Sequence, residues 1–395
     1  MGNLFRGWPK YSLGRVWAHH RFEIDTDVCP HYLRLGGHKM PGDKWVPQAV
    51  KRQRKLVRRL RSLVRPGLRL DYDRVLGWVK EFAPDVIYSQ ATLYPMYTWW
   101  LPRRLSRDLS VPLVNHIMDD WPAALEREWP PVYRQIMKPL LRRQLQALFD
   151  AAACNLAICQ QMADAFGARY GISFTPFHNV IDLEDWAEPK SNYATQGDRF
   201  RVVYLGALTD DMQVHSLRDV AEVVSTMAEE GVEISLAIHT GEAYKDLYHQ
   251  YLDGLIAVSH GGTIARKDLC ACLAAADLLI APVNFAERGI VIGRYSMPTK
   301  VPEYMASGTP VLVYAPGHVP AAKYARKDGW GYIVDQRNQE ALKQALLELM
   351  QSEELRARLG KRGRVLAMRN HDARVVRKNF RQLMRDVANG WRSEE

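Results

Sequence analysis

From residue 71 almost to its end the chain alternates short β-rich runs with longer helical stretches, and few folds are open to a sequence patterned this way. A helix from about Tyr72 to Phe82 leads to DVIYSQ at 85–90, then a Tyr- and Trp-rich helical segment to about Ser110 and PLVNHIM at 112–118. A long Arg- and Leu-patterned helix to about Phe149, NLAIC at 155–159, a helix to Tyr170 and FTPFHN at 174–179 follow. The alternation resumes with RVVYLGA at 201–207, EISLAIH at 233–239, a short GGTIA at 261–265, LLIAPV at 278–283, PVLVYAP at 310–316 and GYIVD at 331–335. Strands in this order run parallel, because only a crossover helix returns the chain to the same end of a sheet, and the helices cover both faces.

The stretch 186–199 is polar and carries Pro, Gly, Ser and Asn, and apolar periodicity stops on entering it and restarts at Phe200. It reads as a linker between two doubly wound, Rossmann-like α/β domains, over 1–185 and 200–370, with a ligand cleft between them at the carboxyl ends of their strands. At 395 residues the chain has room for two cores. Residues 371–395 continue as a charged amphipathic helix, around Ala373 to Val387, expected to cross back onto the first domain. At the other end no strand precedes Gly2 to Trp8, so the chain reads as beginning inside a loop, with a first strand missing. The opening MGNLFRGWPKYSLGR lacks the apolar core of a secretory signal, and no apolar run reaches the roughly 18 residues a membrane span needs.

The net charge of +10 divides unevenly. Residues 1–190 hold 28 basic and 19 acidic residues, and residues 191–395 hold 26 and 25. Within the first half, Lys51 and Arg65 bound a stretch of eight basic residues and no acid, with Leu56, Leu60, Leu63 and Val64 at helical spacing. This is a basic amphipathic helix, suited to an anionic membrane surface, to nucleic acid, or simply to solvent. The five cysteines show no paired metal spacing, which fits a reduced, cytoplasmic protein. Of the Trp-rich first half (Trp8, Trp17, Trp45, Trp78, Trp99, Trp100, Trp121, Trp129), most side chains are expected in the core.

The densest chemical signal lies between Tyr295 and Gly317. A loop with Ser296, Pro298 and Thr299 enters a short helix carrying Lys300 and Glu303; Gly308 ends the helix and Pro310 leads into an apolar strand. A helix start and a lysine ammonium together suit a diphosphate, and an ionised Glu one turn in can accept hydrogen bonds from a ribose diol. The same spacing is also that of an ordinary capped helix between two strands.

This segment resembles the donor site of the retaining glycosyltransferases of family 4, which have the GT-B fold and use nucleotide-diphosphate sugars. PLVNHIMDDWP, LAICQQMADAFGARYG, FHNVIDLEDW, RVVYLGAL and ARKDLCACLAAADLLIAPVNF are similar to further stations of that family in the expected order, over nearly the whole chain. The resemblance implies that the C-terminal domain binds the nucleotide and the N-terminal domain the acceptor, without a metal or other cofactor. Of the family's two glutamates eight positions apart, Glu303 matches the second, which holds the ribose. The first falls on Tyr295, which leaves Glu287 as the substitute near the sugar. The cations that the family places after the first strand of this domain are replaced by GALTDDMQVHS, with Asp210 and Asp211. Gly206 still permits close backbone approach, and the diphosphate charge falls to Lys300, Arg288 or Arg294.

In the N-terminal domain the resemblance places an Asp on Asp119 and a His on Met118, with His116 on the same strand face. Asp119 and Asp120 have the look of metal ligands, but a paired Asp before Trp-Pro also caps a helix at Pro122, and capping is the preferred reading. Asp71 and Asp73 mark a helix start in the same way. His178 and Asn179 end a strand at the cleft. The expected activity is transfer of a sugar, with retention, to a glycan or lipid-linked acceptor in cell-envelope polysaccharide or glycoconjugate synthesis, in the cytoplasm or peripherally on the inner face of the plasma membrane. The alternatives are a GT-B-fold epimerase or phosphorylase, which would act on its substrate without this acceptor, and a basic nucleic-acid-binding protein, which ranks low because no nucleic-acid module surrounds the basic stretch.

Overall fold

The computed structural model describes residues 2–17, 28–34, 71–92, 97–123, 131–186, 190–195, 197–286, 291, 294–295 and 297–393. The basic stretch between Lys51 and Arg65, and Trp45, Trp129, Glu287, Arg288 and Ser296, lie outside the described residues.

Two parallel sheets carry the molecule. The first has the order β3-β4-β5-β6, with β3 Ile87–Gln90, β4 Leu113–Ile117, β5 Cys154–Ala157 and β6 Thr175–Pro176. The second has the order β12-β11-β10-β7-β8-β9, with β7 Phe200–Leu205, β8 Ile234–His239, β9 Val258–His260, β10 Leu278–Pro282, β11 Val311–Tyr314 and β12 Tyr332–Val334. All pairings within them are parallel. Two Rossmann-like units facing across a cleft result.

Strand periodicity divides each core into two layers. In the second sheet Val202, Leu236, Ile238, Leu278, Ile280 and Leu312 face the helices Val214–Glu229 and Gln339–Gln351, while Val203, Leu205, Leu279, Val311 and Val313 face the other side. In the first sheet Leu113 and Ile117 pack against the helices α4 (Pro131–Asp150) and α5 (Gln160–Tyr170). Val114 and Leu156 instead pack under the C-terminal helix Ala373–Ser393 through Phe380 and Met384. Helix ends follow local chemistry. Asp71 caps α2 (Tyr72–Phe82) by accepting from Arg74 N–H, and Gly171 and Gly308 end helices at φ 69° and 73°, where other residues would be strained.

Three features differ from the sequence expectation. The strand expected at 261–265 is β9, three residues earlier, and Gly261 to Ala265 form a loop. The chain opens with a helical turn, α1 (Gly2–Phe5), whose Leu4 and Phe5 join the cluster under the C-terminal helix. Unexpected strands β1 (Gly14–Trp17) and β2 (His31–Arg34) pair parallel as a separate sheet. Of the linker, Lys190 donates to the carbonyls of Ala274 (3.1 Å) and Ala276 (2.6 Å), and Tyr193 is buried with its hydroxyl on Gly308 O (3.0 Å). These linker residues are therefore seated on the second domain.

The chain crosses between the domains twice at one place. Ile181 N–H donates to His371 O (3.0 Å) and Ala373 N–H to Ile181 O (2.9 Å). Beside them Asp182 receives Arg6 (2.9 Å) and Arg377, and Arg266 reaches Asp185 (3.2 Å).

Candidate active site

In the second sheet the chain winds outward from β7 in both directions, so its order reverses between β7 and β10. Loops leaving such a pair turn to opposite faces and open a crevice outside the carboxyl ends, where open α/β sheets take ligands. The crevice opens early here, because the β10 register on β7 ends at Val203, two residues short of the end of β7. Leu205 turns its N–H and C=O toward that gap. The Tyr304 hydroxyl meets both, accepting from Leu205 N–H at 2.8 Å and donating to Leu205 O at 2.9 Å.

Tyr304 belongs to α9 (Val301–Ser307), so this clamp fixes Lys300 and Glu303 at the crevice. Lys300 Nζ lies 3.0 Å from Glu303 Oε2. The contact is an ion pair without hydrogen-bond alignment, and buried Oε2 accepts no hydrogen bond. The helix start offers an anion less than its spacing implies: Val301 N–H is taken by Pro298 O (3.1 Å), and Pro302 has none. Cations therefore matter more. Thr299 is exposed, and exposed Arg294 lies over the Tyr295 ring at 5.2 Å.

The crevice floor is bare backbone. Gly206 N–H donates to His239 O (3.0 Å), and a Cβ at Gly206 would stand 2.7 Å from the Tyr204 hydroxyl. The loop beyond it is pinned by buried Asn284, which accepts from Ser216 N–H (3.0 Å) and donates to Asp210 O (2.8 Å). His239 closes the β8 end, with Nδ1 3.0 Å from Gly261 O. Sequence reasoning left out Tyr304, Asn284 and His239. The available signal for the last two was a polar residue directly following an apolar strand run.

Across the cleft, Asp119 is exposed two residues beyond the end of β4. Asp120 is buried, bound by both guanidinium nitrogens of Arg169 (2.7 and 2.8 Å), and accepts from Ala123 N–H (3.4 Å). Its carboxylate is thus committed to an ion pair and a helix cap. His116 requires a correction. It is fully buried, with Nδ1 2.8 Å from the Tyr88 hydroxyl, because its strand face looks onto the C-terminal helix and not into the cleft. Burial pushes its pKa down to about 4, so it is a neutral core residue that substrate does not reach.

His178 and Asn179 sit at the domain crossing. Asn179 O lies 3.2 Å from His371 Nδ1, and the His178 and His371 rings are 6.0 Å apart. Burial lowers the pKa of His178 and takes that of His371 to about 4. Nearer the N-terminal core the domains touch directly: Cys159 Sγ donates to Tyr295 O (3.2 Å), and the Tyr295 side chain packs on the cluster containing Phe149 and Phe166.

Paired Rossmann-like units with a crevice at the order reversal are the GT-B arrangement, and the comparisons place the chain among the glycosyltransferases of that type. Residues 19–185 match the family described as Glycosyltransferase Family 4, and residues 188–366 the family described as Glycosyl transferases group 1. The chain belongs to the group 1 glycosyltransferases of family 4 type. Similar solved structures include sucrose-phosphate synthase from Thermosynechococcus elongatus, at 15% identity and TM-score 0.62, covering 92% of this chain and 84% of that one. The Anabaena protein HepE, solved with UDP and glucose, gives 15% identity and TM-score 0.60 over 80% of this chain and 81% of its own. A glycosyltransferase from Rickettsia africae gives 9% and 0.61, over 91% and 85%. At these identities the likeness is one of fold. No curated protein sequence matches the chain. Among the described residues no helix is long and apolar enough to cross a membrane.

Proposed function

We propose that this glycosyltransferase holds a nucleotide-diphosphate sugar in the crevice between β7 and β10 and transfers the sugar, with retention, to a glycan or lipid-linked acceptor on the N-terminal side. The observation that carries this reading is the Lys300–Glu303 pair fixed at the crevice by Tyr304. Glu303 Oε2 suits a ribose diol, and Lys300 is within reach of the same ligand's diphosphate. HepE, of similar fold, was solved with UDP and glucose, which supports a nucleotide-sugar donor.

In the proposed reaction the bond from sugar C1 to the diphosphate oxygen breaks and its electron pair stays on the diphosphate. Lys300 and Arg294 stabilise that developing charge, which is where preorganised electrostatics acts. The acceptor hydroxyl forms the new C1–O bond on the same face and gives its proton to the departing diphosphate. No side-chain nucleophile, metal ion or other cofactor takes part. Of the Asp119–Asp120 pair, Asp120 is held by Arg169. We place the activity in cell-envelope polysaccharide or glycoconjugate synthesis at the cytoplasmic face of the plasma membrane, with the basic stretch between Lys51 and Arg65 supporting peripheral association.

Release of nucleoside diphosphate from a panel of donors tests the assignment. Lys300→Ala and Glu303→Ala should each lower turnover about 100-fold or more with the fold intact. Full activity in both would remove this site, and interconversion of the sugar without acceptor would replace transfer by epimerisation.

A further inference from the structure

The loop that leads into α9 belongs by sequence to the second domain, yet it is anchored on both. Tyr295 packs its ring on the first-domain cluster that holds Leu145, Phe149 and Phe166, and its carbonyl accepts from Cys159 Sγ (3.2 Å). Two residues on, Met297 packs on the second-domain cluster that holds Val301, Tyr304 and Met305. Two residues of chain span about 7 Å at most, so the boundary between the domains runs through this loop.

The seat for Tyr295 is firm. Cys159 is buried and stands between the end of β5 and the start of α5, both part of the first domain's core. Burial raises its pKa, so the thiol keeps the proton that it donates to Tyr295 O. On the other side of the same residue, the Arg294 guanidinium lies 5.2 Å over the Tyr295 ring, within the range of a cation–π contact. Lys300 follows at the start of the helix that Tyr304 clamps to Leu205. The two cations assigned to the departing diphosphate therefore flank a residue seated in the acceptor-side domain. Arg294 is exposed and its side chain is long, so it has many rotamers to lose before it can meet a ligand, and the fixed ring and backbone of Tyr295 remove part of that freedom in advance.

We infer that Tyr295 is a positioning residue for the transfer step: seated on the first domain beside Cys159, it fixes the loop that aims Arg294 at the donor's diphosphate. Placement of this cation is thereby tied to contact between the donor-side and acceptor-side domains. Ground-state binding of the nucleotide, carried by Lys300 and Glu303 on the second domain, does not depend on the seat. Tyr295 acts through Arg294 and does not itself touch the reacting atoms. The inference rests on the transferase reading proposed above.

The test compares Tyr295→Ala, which removes the ring, with Tyr295→Phe, which keeps it, in the full chain and below the melting temperature of each protein. Alkylation of Cys159 by iodoacetamide, read by mass spectrometry, examines the seat without any donor. Tyr295→Ala should label about ten-fold or more faster than wild type, because labelling of a buried thiol follows local opening, and Tyr295→Phe should label like wild type. With the donor that wild type turns over fastest, Tyr295→Ala should lower kcat about ten-fold or more and change the Kd of the released nucleoside diphosphate less than about three-fold, with kcat restored in Tyr295→Phe. Cys159 labelled no faster in Tyr295→Ala than in wild type would overturn the seat. Unchanged kcat, or a Kd that rises as steeply as kcat falls, would overturn the positioning role. Absence of turnover with every donor, with Cys159 still uncovered by Tyr295→Ala, would instead be failure of the transferase reading, and the positioning role would fall with it.

Discussion

The Tyr304 hydroxyl satisfies both backbone polar groups of Leu205, at 2.8 and 2.9 Å, at the point where β10 stops pairing with β7. A side chain thus substitutes for a strand, which lets the crevice open without stranding buried backbone groups. It also fixes the helix that holds Glu303 relative to Gly206.

Tyr304→Phe deletes that oxygen and leaves the Leu205 N–H and C=O buried and unmet. We expect a loss of about 2–3 kcal/mol in urea unfolding, together with weaker nucleotide-diphosphate binding. Unchanged stability would show that the clamp is dispensable.

Behind the same helix, α12 (Glu353–Asn370) approaches through glycines. A Cβ at Gly360 would collide with the Gly308 carbonyl oxygen and the Tyr193 ring, whereas one at Gly363 would stand 3.6 Å from Met305 Cα, an ordinary contact. Gly360→Ala should therefore lower the melting temperature by several degrees, and Gly363→Ala should hold or raise it through helix propensity. Equal effects of the two substitutions would contradict the close approach.

His116 and His371 are both buried and held neutral, with folded pKa values of about 4 against 6.5 for the free side chain. The unfolded chain takes up these protons first as pH falls. Their contribution is thus complete above about pH 6.5 and disappears by about pH 4, with an upper bound of about 3 kcal/mol for each. Urea unfolding across that range should show the decline, and His116→Gln should reduce it by about half, leaving the His371 part; a flat profile in wild type would contradict the burial argument.

Much of the fold was legible because its strands are central and apolar. LLIAPV and PVLVYAP became β10 and β11, buried along their length. β9 was misplaced because it is an edge strand reading Val-Ser-His, with no apolar run, while the neighbouring Thr-Ile pair is only a loop. At the candidate site, the placement of Lys300 and Glu303 at a loop-to-helix start is legible from spacing, but the clamp through Tyr304 depends on where the β10 register ends, which a linear pattern does not carry. His116 was assigned to a strand face correctly and to the wrong surroundings. Which face meets the cleft depends on the C-terminal helix, and Phe380 lies 264 residues away from it in the sequence.

The most direct test of the donor crevice compares a ribonucleoside diphosphate with its 2′,3′-dideoxy analogue on wild type and on Glu303→Ala, by calorimetric titration. If Glu303 holds the ribose diol, wild type should prefer the ribonucleotide by about 10- to 100-fold, and Glu303→Ala should bind both equally weakly. Equal binding of the two ligands by wild type, or an undiminished preference in Glu303→Ala, would contradict the account.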